Sequence, residues 1–130
     1  MSDVLDNPRV ALWNAWKVPM IALLGESHVS MDAATTAAST PYARITLMGN
    51  PMLTTDLEGN ECATTLSAQC ESFASGQKAL SKAYEIDATS HATMINLGFQ
   101  RTFGPELIEN EDTNIKRVVS RYSRIYTGVF

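Results

Sequence analysis

The stretch from Cys62 to Phe73, CATTLSAQCESF, constrains the fold more than any other part of this chain. Leu66, Ala68 and Cys70 fall on one side of an extended segment and Thr65, Ser67, Gln69 and Glu71 on the other, with Phe73 the exception at its end. Side chains alternate across a strand with period two, so this run belongs to a sheet with one face in the core and the other wet or in an interface. Tyr42 to Met48 alternates in the same way, with Ala43, Ile45 and Leu47 opposite Tyr42, Arg44, Thr46 and Met48. Gly49-Asn50-Pro51 stops that pattern, and Asp56-Leu57-Glu58-Gly59-Asn60-Glu61 supplies turn formers, so the two runs make a long hairpin.

The hairpin sits among helices and further strands. Asn7 caps and Pro8 opens an N-terminal helix over about residues 8–18, which Pro19 ends by biasing Val18 away from helical angles. Leu12, Trp13 and Trp16 give that helix its apolar stripe; they dock it on the domain, with an interaction patch as the alternative. Residues 25–40 are rich in Gly, Ser, Thr and Ala without periodicity and read as a linker or ordered loop, mobile until assembly. Ser75-Gly76-Gln77 opens a second helix with Leu80, Ala83, Tyr84, Met94 and Ile95 apolar, a break at Thr89-Ser90, and Gly98 as its stop. Phe99 to Phe103 and Ile115 to Tyr126 read as two more strands, with Pro105 at an edge or just past a strand end. The class is therefore α+β: one domain over residues 1–130, with a compact core over about 41–128. Its mixed, mostly antiparallel sheet has about four strands and helices packed on one face.

A chain of 130 residues with 45% hydrophobic and 18% charged residues can bury a core of its own. Ten basic residues against fourteen acidic ones leave a net charge of −4, which disfavours a dedicated nucleic-acid binder. The longest apolar run, Val18 to Leu24, is too short to cross a bilayer, and the acidic Met1-Ser2-Asp3 start carries no secretory signal, so a cytosolic protein without a membrane partner is expected. Cys62 and Cys70 on one strand stand about 26 Å apart, beyond a disulfide, and are expected as reduced, half-buried thiols.

Chemistry-bearing patterns are sparse. His28 and His91 have no ligand-type neighbours at zinc spacing, and no phosphate loop or nucleophile elbow is present, so neither metal nor cofactor is expected. Cys62 with His91 is a weak nucleophile and base pair lacking an oxyanion motif, and no enzyme is expected. Two charge features stand out. Asp56, Glu58 and Glu61 make an acidic turn, more simply a solvated loop than a catalytic pair, while Lys116, Arg117, Arg121 and Arg124 interleave with Val118, Val119, Tyr122, Ile125 and Tyr126. Basic residues between aromatics can grip nucleic acid, but they also suit an acidic surface on a neighbouring subunit, and the negative chain favours self-assembly.

Several phrases carry a family resemblance: Pro41-Tyr42-Ala43-Arg44-Ile45-Thr46-Leu47, Thr55-Asp56-Leu57-Glu58-Gly59, Phe73-Ala74-Ser75-Gly76-Gln77-Lys78 and Ile115-Lys116-Arg117-Val118-Val119-Ser120-Arg121-Tyr122-Ser123-Arg124. In this order, spanning about two-thirds of the chain from Pro41 to Gly128, the sequence resembles the tail terminator (tail-to-head joining, tail completion) proteins of long-tailed bacteriophages and prophages. The resemblance implies a virion protein assembled in the bacterial host cytoplasm. It would form a ring, commonly a hexamer, that caps the head-proximal end of the tail tube, stops tube growth and meets the head-tail connector proteins. DNA would pass the negative lumen without specific binding. Subunit or tube contacts are then expected at Asp56, Glu58, Glu61, Arg117, Arg121 and Arg124. A head-closure protein of the same neck, or a small nucleic-acid-binding module, are the alternatives.

Overall fold

A computed structural model describes residues 8–31, 40–48, 52–55, 61–108 and 114–126. The elements are α1 (Pro8–Leu24), β1 (Val29–Met31), β2 (Tyr42–Leu47), β3 (Met52–Thr55), β4 (Glu61–Ser75), α2 (Ala79–Asn96), β5 (Gln100–Ile108) and β6 (Ile115–Tyr126), with a 3-10 turn at Glu26–His28. One six-stranded sheet runs β1-β2-β4-β6-β5, with β3 beside β2's neighbour β4. All pairings are antiparallel except β1 with β2. The class is α+β, as the alternation required. The two strands beyond the expected four are β3 and β1. β1 lies within the stretch read as a linker; at three residues it is too short to show a period.

The dry face of β4 continues past the hairpin. Leu66, Ala68, Cys70, Ser72 and Ala74 are all buried, and across the ladder they meet Ala43, Ile45, Val118, Ser120 and Tyr122. Both helices pack on this face. α1 inserts Leu12, Trp16 and Met20, spaced four apart on one stripe, into the cluster that holds Ile45, Leu66, Ile86, Met94, Phe99 and Tyr122.

Three boundaries differ from the sequence reading. α1 does not end at Val18 but runs through Pro19 to Leu24. Pro19, which cannot donate to the Ala15 carbonyl, lines with Ala15 an open groove between the helices. Burial of Met20 beyond the proline outweighs the local penalty. α2 starts at Ala79, because Ser75 still belongs to β4 and Gly76 (φ 85°) and Lys78 (φ 59°) turn the chain left-handed before the helix. Thr89-Ser90 does not break it. Its buried face is Ala79, Ala83, Ile86, Asp87, Ser90 and Met94, whereas Leu80, Tyr84 and Ile95 are exposed. Small and polar side chains face the sheet because Asp87 and Ser90 find partners there. The helix closes as Gly98 suggests: Gly98 N donates to the Ile95 carbonyl (2.9 Å) and Phe99 N to that of Met94 (3.0 Å), with Gly98 at φ 86°.

β5 extends to Ile108 through Pro105 instead of stopping at Phe103. It is an edge strand whose register with β6 shifts on both sides of Phe103, and an edge or irregular position is where a residue without an N–H is tolerated.

Candidate functional site: the helix-free face of the sheet

Odd-numbered residues of β4 and β6 point away from the helices. Register places Arg44 beside Glu71, Tyr42 beside Phe73 and Phe73 beside Arg117, with Gln69 beside Arg121 four residues along the ladder. Glu71 is the centre of this face. Its side chain is only 2% exposed, yet it carries a carboxylate, and a buried charge is tolerable only when paired and hydrogen-bonded. Arg44 donates from Nε (2.9 Å) and Nη2 (2.7 Å) to Glu71 Oε1. Arg117 donates from Nε (2.7 Å) to Oε2, with its Nη2 at 2.6 Å from the same oxygen. One carboxylate thus holds two guanidinium groups and leaves the trio with net positive charge.

Aromatic rings pave the surroundings. Tyr42 and Phe73 stack with centroids 4.3 Å apart at 8°, and Arg44 lies over Phe73 at 5.7 Å. Arg121 donates from Nε to Gln69 Oε1 (2.9 Å) and lies 5.1 Å over Phe103. Partial burial pushes the Tyr42 phenol above its ordinary value, against the pull of Arg44.

The sequence-derived contact residues distribute unevenly over this arrangement. Arg117 and Arg121 share the helix-free face. Arg124 does not: at an even position it turns to the helical side, donates from Nη1 to the Leu97 carbonyl at the end of α2 and from Nε to Ile125 O (3.0 Å), and lies 6.0 Å over Phe99. Its role in the fold is to hold the α2 terminus. Glu61 opens β4 opposite Thr55, twelve residues and so about 40 Å along the strand from the position that pairs with Arg117. An Arg117–Glu61 pair within one subunit is therefore excluded. Asp56 and Glu58 lie outside the described residues, as does the Cys62 side chain. Arg44 and Glu71 were missed. Each looks like a polar residue on a wet face until register shows them opposite one another.

A second polar cluster lies under α2. Asp87 accepts from Ser120 Oγ (2.6 Å) and Arg101 Nη2 (3.1 Å); Arg101 Nη2 also reaches Tyr122 Oη (3.2 Å), which is 3.2 Å from His91 Nδ1. Trp16 Nε1 donates to Ser90 Oγ (3.0 Å). Ser, His and Asp are all present here, but not as a triad: Ser120 is fully buried and bonded to Asp87, while His91 is bonded to Tyr122. Burial pushes the Cys70 thiol up to about 12, the reverse of an activated nucleophile, and likewise the Tyr122 phenol up to about 12. This cluster fastens α2 to β5 and β6.

Among the described residues no group of His, Cys, Asp and Glu is placed to hold a metal ion, and no helix is long and apolar enough to cross a membrane. Protein-family models give no match to the chain, and neither do curated proteins.

Proposed function

We propose that this chain is a structural protein of a long-tailed phage virion, a tail terminator. As a ring of copies it caps the head-proximal end of the tail tube, stops elongation and joins the tail to the head connector. The observation that carries the reading is the helix-free sheet face, where Arg44, Arg117 and Arg121 lie among stacked aromatics on a chain of net charge −4. A face of this kind suits a protein surface of opposite charge, and the sequence holds such a surface at Asp56, Glu58 and Glu61. The phrases by which the sequence resembles tail terminators cover β2, most of β6 and the last three residues of β4, all strands that build the face. The role needs no catalytic group, metal or cofactor. Its partners are further copies of itself, the tail tube protein and the connector proteins, with DNA passing through the lumen.

Arg121 over Phe103 favours a second reading, single-stranded nucleic acid stacked on the same face. The net charge of −4 argues against it, since a phosphate backbone is repelled by the chain as a whole. The deciding experiment assembles tail tubes from the cognate tube protein with and without this chain and images them by negative stain. Tubes capped at one end and halted in growth are expected. Unchanged tubes, or DNA affinity that falls steeply with salt, would reject the terminator role.

A further inference from the structure

We infer that the Arg44–Glu71–Arg117 trio, extended by Arg121, is a preformed receptor for carboxylates, and that its occupant is the acidic segment Asp56–Glu61 of a second copy of this chain. The inference rests on the ring-forming role proposed above and names the surface through which copies meet.

The trio has the properties of a built acceptor. Each guanidinium commits its Nε and Nη2 to one oxygen of Glu71, which leaves Nη1 of both as donors for a further anion. Glu71 fixes both arginines in place, and Arg44 is further held over Phe73. A carboxylate arriving from outside therefore meets donors whose rotamer freedom is already lost, and binding proceeds without that entropic cost. Arg44 and Arg117 are 18% and 24% exposed, enough to be reached and too little to be fully screened. Arg121, four residues from Arg117 along β6 and held by Gln69, adds a further guanidinium to the same face.

Charge selects the occupant. Asp56, Glu58 and Glu61 place three carboxylates in six residues on a chain where acidic residues outnumber basic ones. Glu61 lies about 26 Å along β4 from the position opposite Arg121 and about 40 Å from that opposite Arg117, so Glu61 cannot reach the receptor of its own subunit. Acceptor and donor at opposite ends of one long strand make a head-to-tail contact, the kind that closes into a ring when its rotation permits.

The test measures self-association of the full chain by sedimentation at about 50 and about 500 mM NaCl, conditions that shorten the screening length several-fold. The informative variants are Arg121→Glu, which leaves the Glu71 pairs intact, and the isosteric triple Asp56→Asn/Glu58→Gln/Glu61→Gln. Salt-sensitive association of the wild type, weakened at least tenfold in each variant, is the expected result. A wild type that stays monomeric to about 1 mM, the weakest affinity such a contact could have and still matter, would overturn the inference, as would association indifferent to either variant. Loss of single-stranded DNA binding in Arg121→Glu with self-association unchanged would reassign the face to nucleic acid. Tubes capped equally well by wild type and Arg121→Glu would sink this inference and leave the terminator role standing; salt-sensitive association through this face without capping would do the opposite.

Discussion

Glu71→Gln should change sign with its background, and that reversal tests the electrostatics of the helix-free face. In the wild-type chain the carboxylate accepts from both arginines, one on each oxygen. An amide keeps one oxygen and turns an NH2 toward the other guanidinium, so one arginine loses its acceptor. Hydrogen bonds to charged groups contribute about 1.5–3 kcal/mol each. The released arginine is partly exposed and rehydrates, so the net loss should be about 1–3 kcal/mol. In an Arg44→Gln/Arg117→Gln chain the same substitution meets a carboxylate that is 2% exposed and has lost both cations. Leaving a buried charge uncompensated costs about 3–5 kcal/mol, so neutralising it should restore about 2–4 kcal/mol. Urea titrations followed through Trp13 and Trp16 emission read both arms. At a slope near ~2 kcal/mol per M the midpoints should move by about 1 M in opposite directions with the slope unchanged. A loss of stability in both backgrounds would mean that Glu71 is held by packing or hydrogen bonding alone, and the ion-pair account of this face would be wrong.

Stability should also fall in alkali. Cys70 and Tyr122 rise from 9.0 and 10.0 to about 12 in the fold, so between about pH 9 and 12 the unfolded chain releases protons that the native chain retains. Their stabilisation is complete below that window and declines through it by up to ~1.4 kcal/mol per pH unit per group. Urea midpoints that stay flat from about pH 8 to 11, or a decline unaltered in Cys70→Ala and Tyr122→Phe, would contradict this. Under native conditions at about pH 8, mass-mapped alkylation should leave Cys70 unmodified until denaturant is added. The left-handed glycines separate strain from collision. Gly76→Ala has open space around its new methyl and should cost about 1–2 kcal/mol, the left-handed penalty alone. Gly104→Ala drives the methyl into the Val119 carbonyl and should cost clearly more, which thermal unfolding of the pair would resolve.

What was legible in the sequence follows the length of the pattern. β2 and β4 alternate over six or more residues, and their faces could be read directly, whereas β6 was legible as a strand but not by its faces. β1 has three residues and is held by parallel pairing to β2, a tertiary fact with no local trace. Pro19 carries a true local signal for a helix end, overridden because Met20 and the residues after it bury against the core. Leu80, Tyr84 and Ile95 misled in the opposite way: they are apolar at helical spacing, yet the face that packs is the one bearing Asp87 and Ser90, whose partners Ser120, Arg101 and Trp16 come from distant strands and helices. The candidate site was half legible for the same reason. Alternation places Arg117 and Arg121 on one side and Arg124 on the other once the strand's position is known, but Arg44 and Glu71 become a site only through the register of β2 on β4.

That register makes the arginines of β6 unequal as probes. Arg117 neutralises a carboxylate buried within its own subunit, so reversing its charge would bring two acids together under Arg44 and unfold the face before any contact between subunits was tested. Arg124 holds the Leu97 carbonyl at the end of α2 and would report on the helix. Arg121 touches Gln69 and Phe103, both of which tolerate its loss without leaving a buried charge behind. A change in assembly on Arg121→Glu with an unchanged urea midpoint would therefore locate an intermolecular contact, whereas the same change on Arg117→Glu could not be distinguished from damage to the sheet. The strand that looked in sequence like one basic stripe is three separate devices, and only Arg121 isolates assembly from folding.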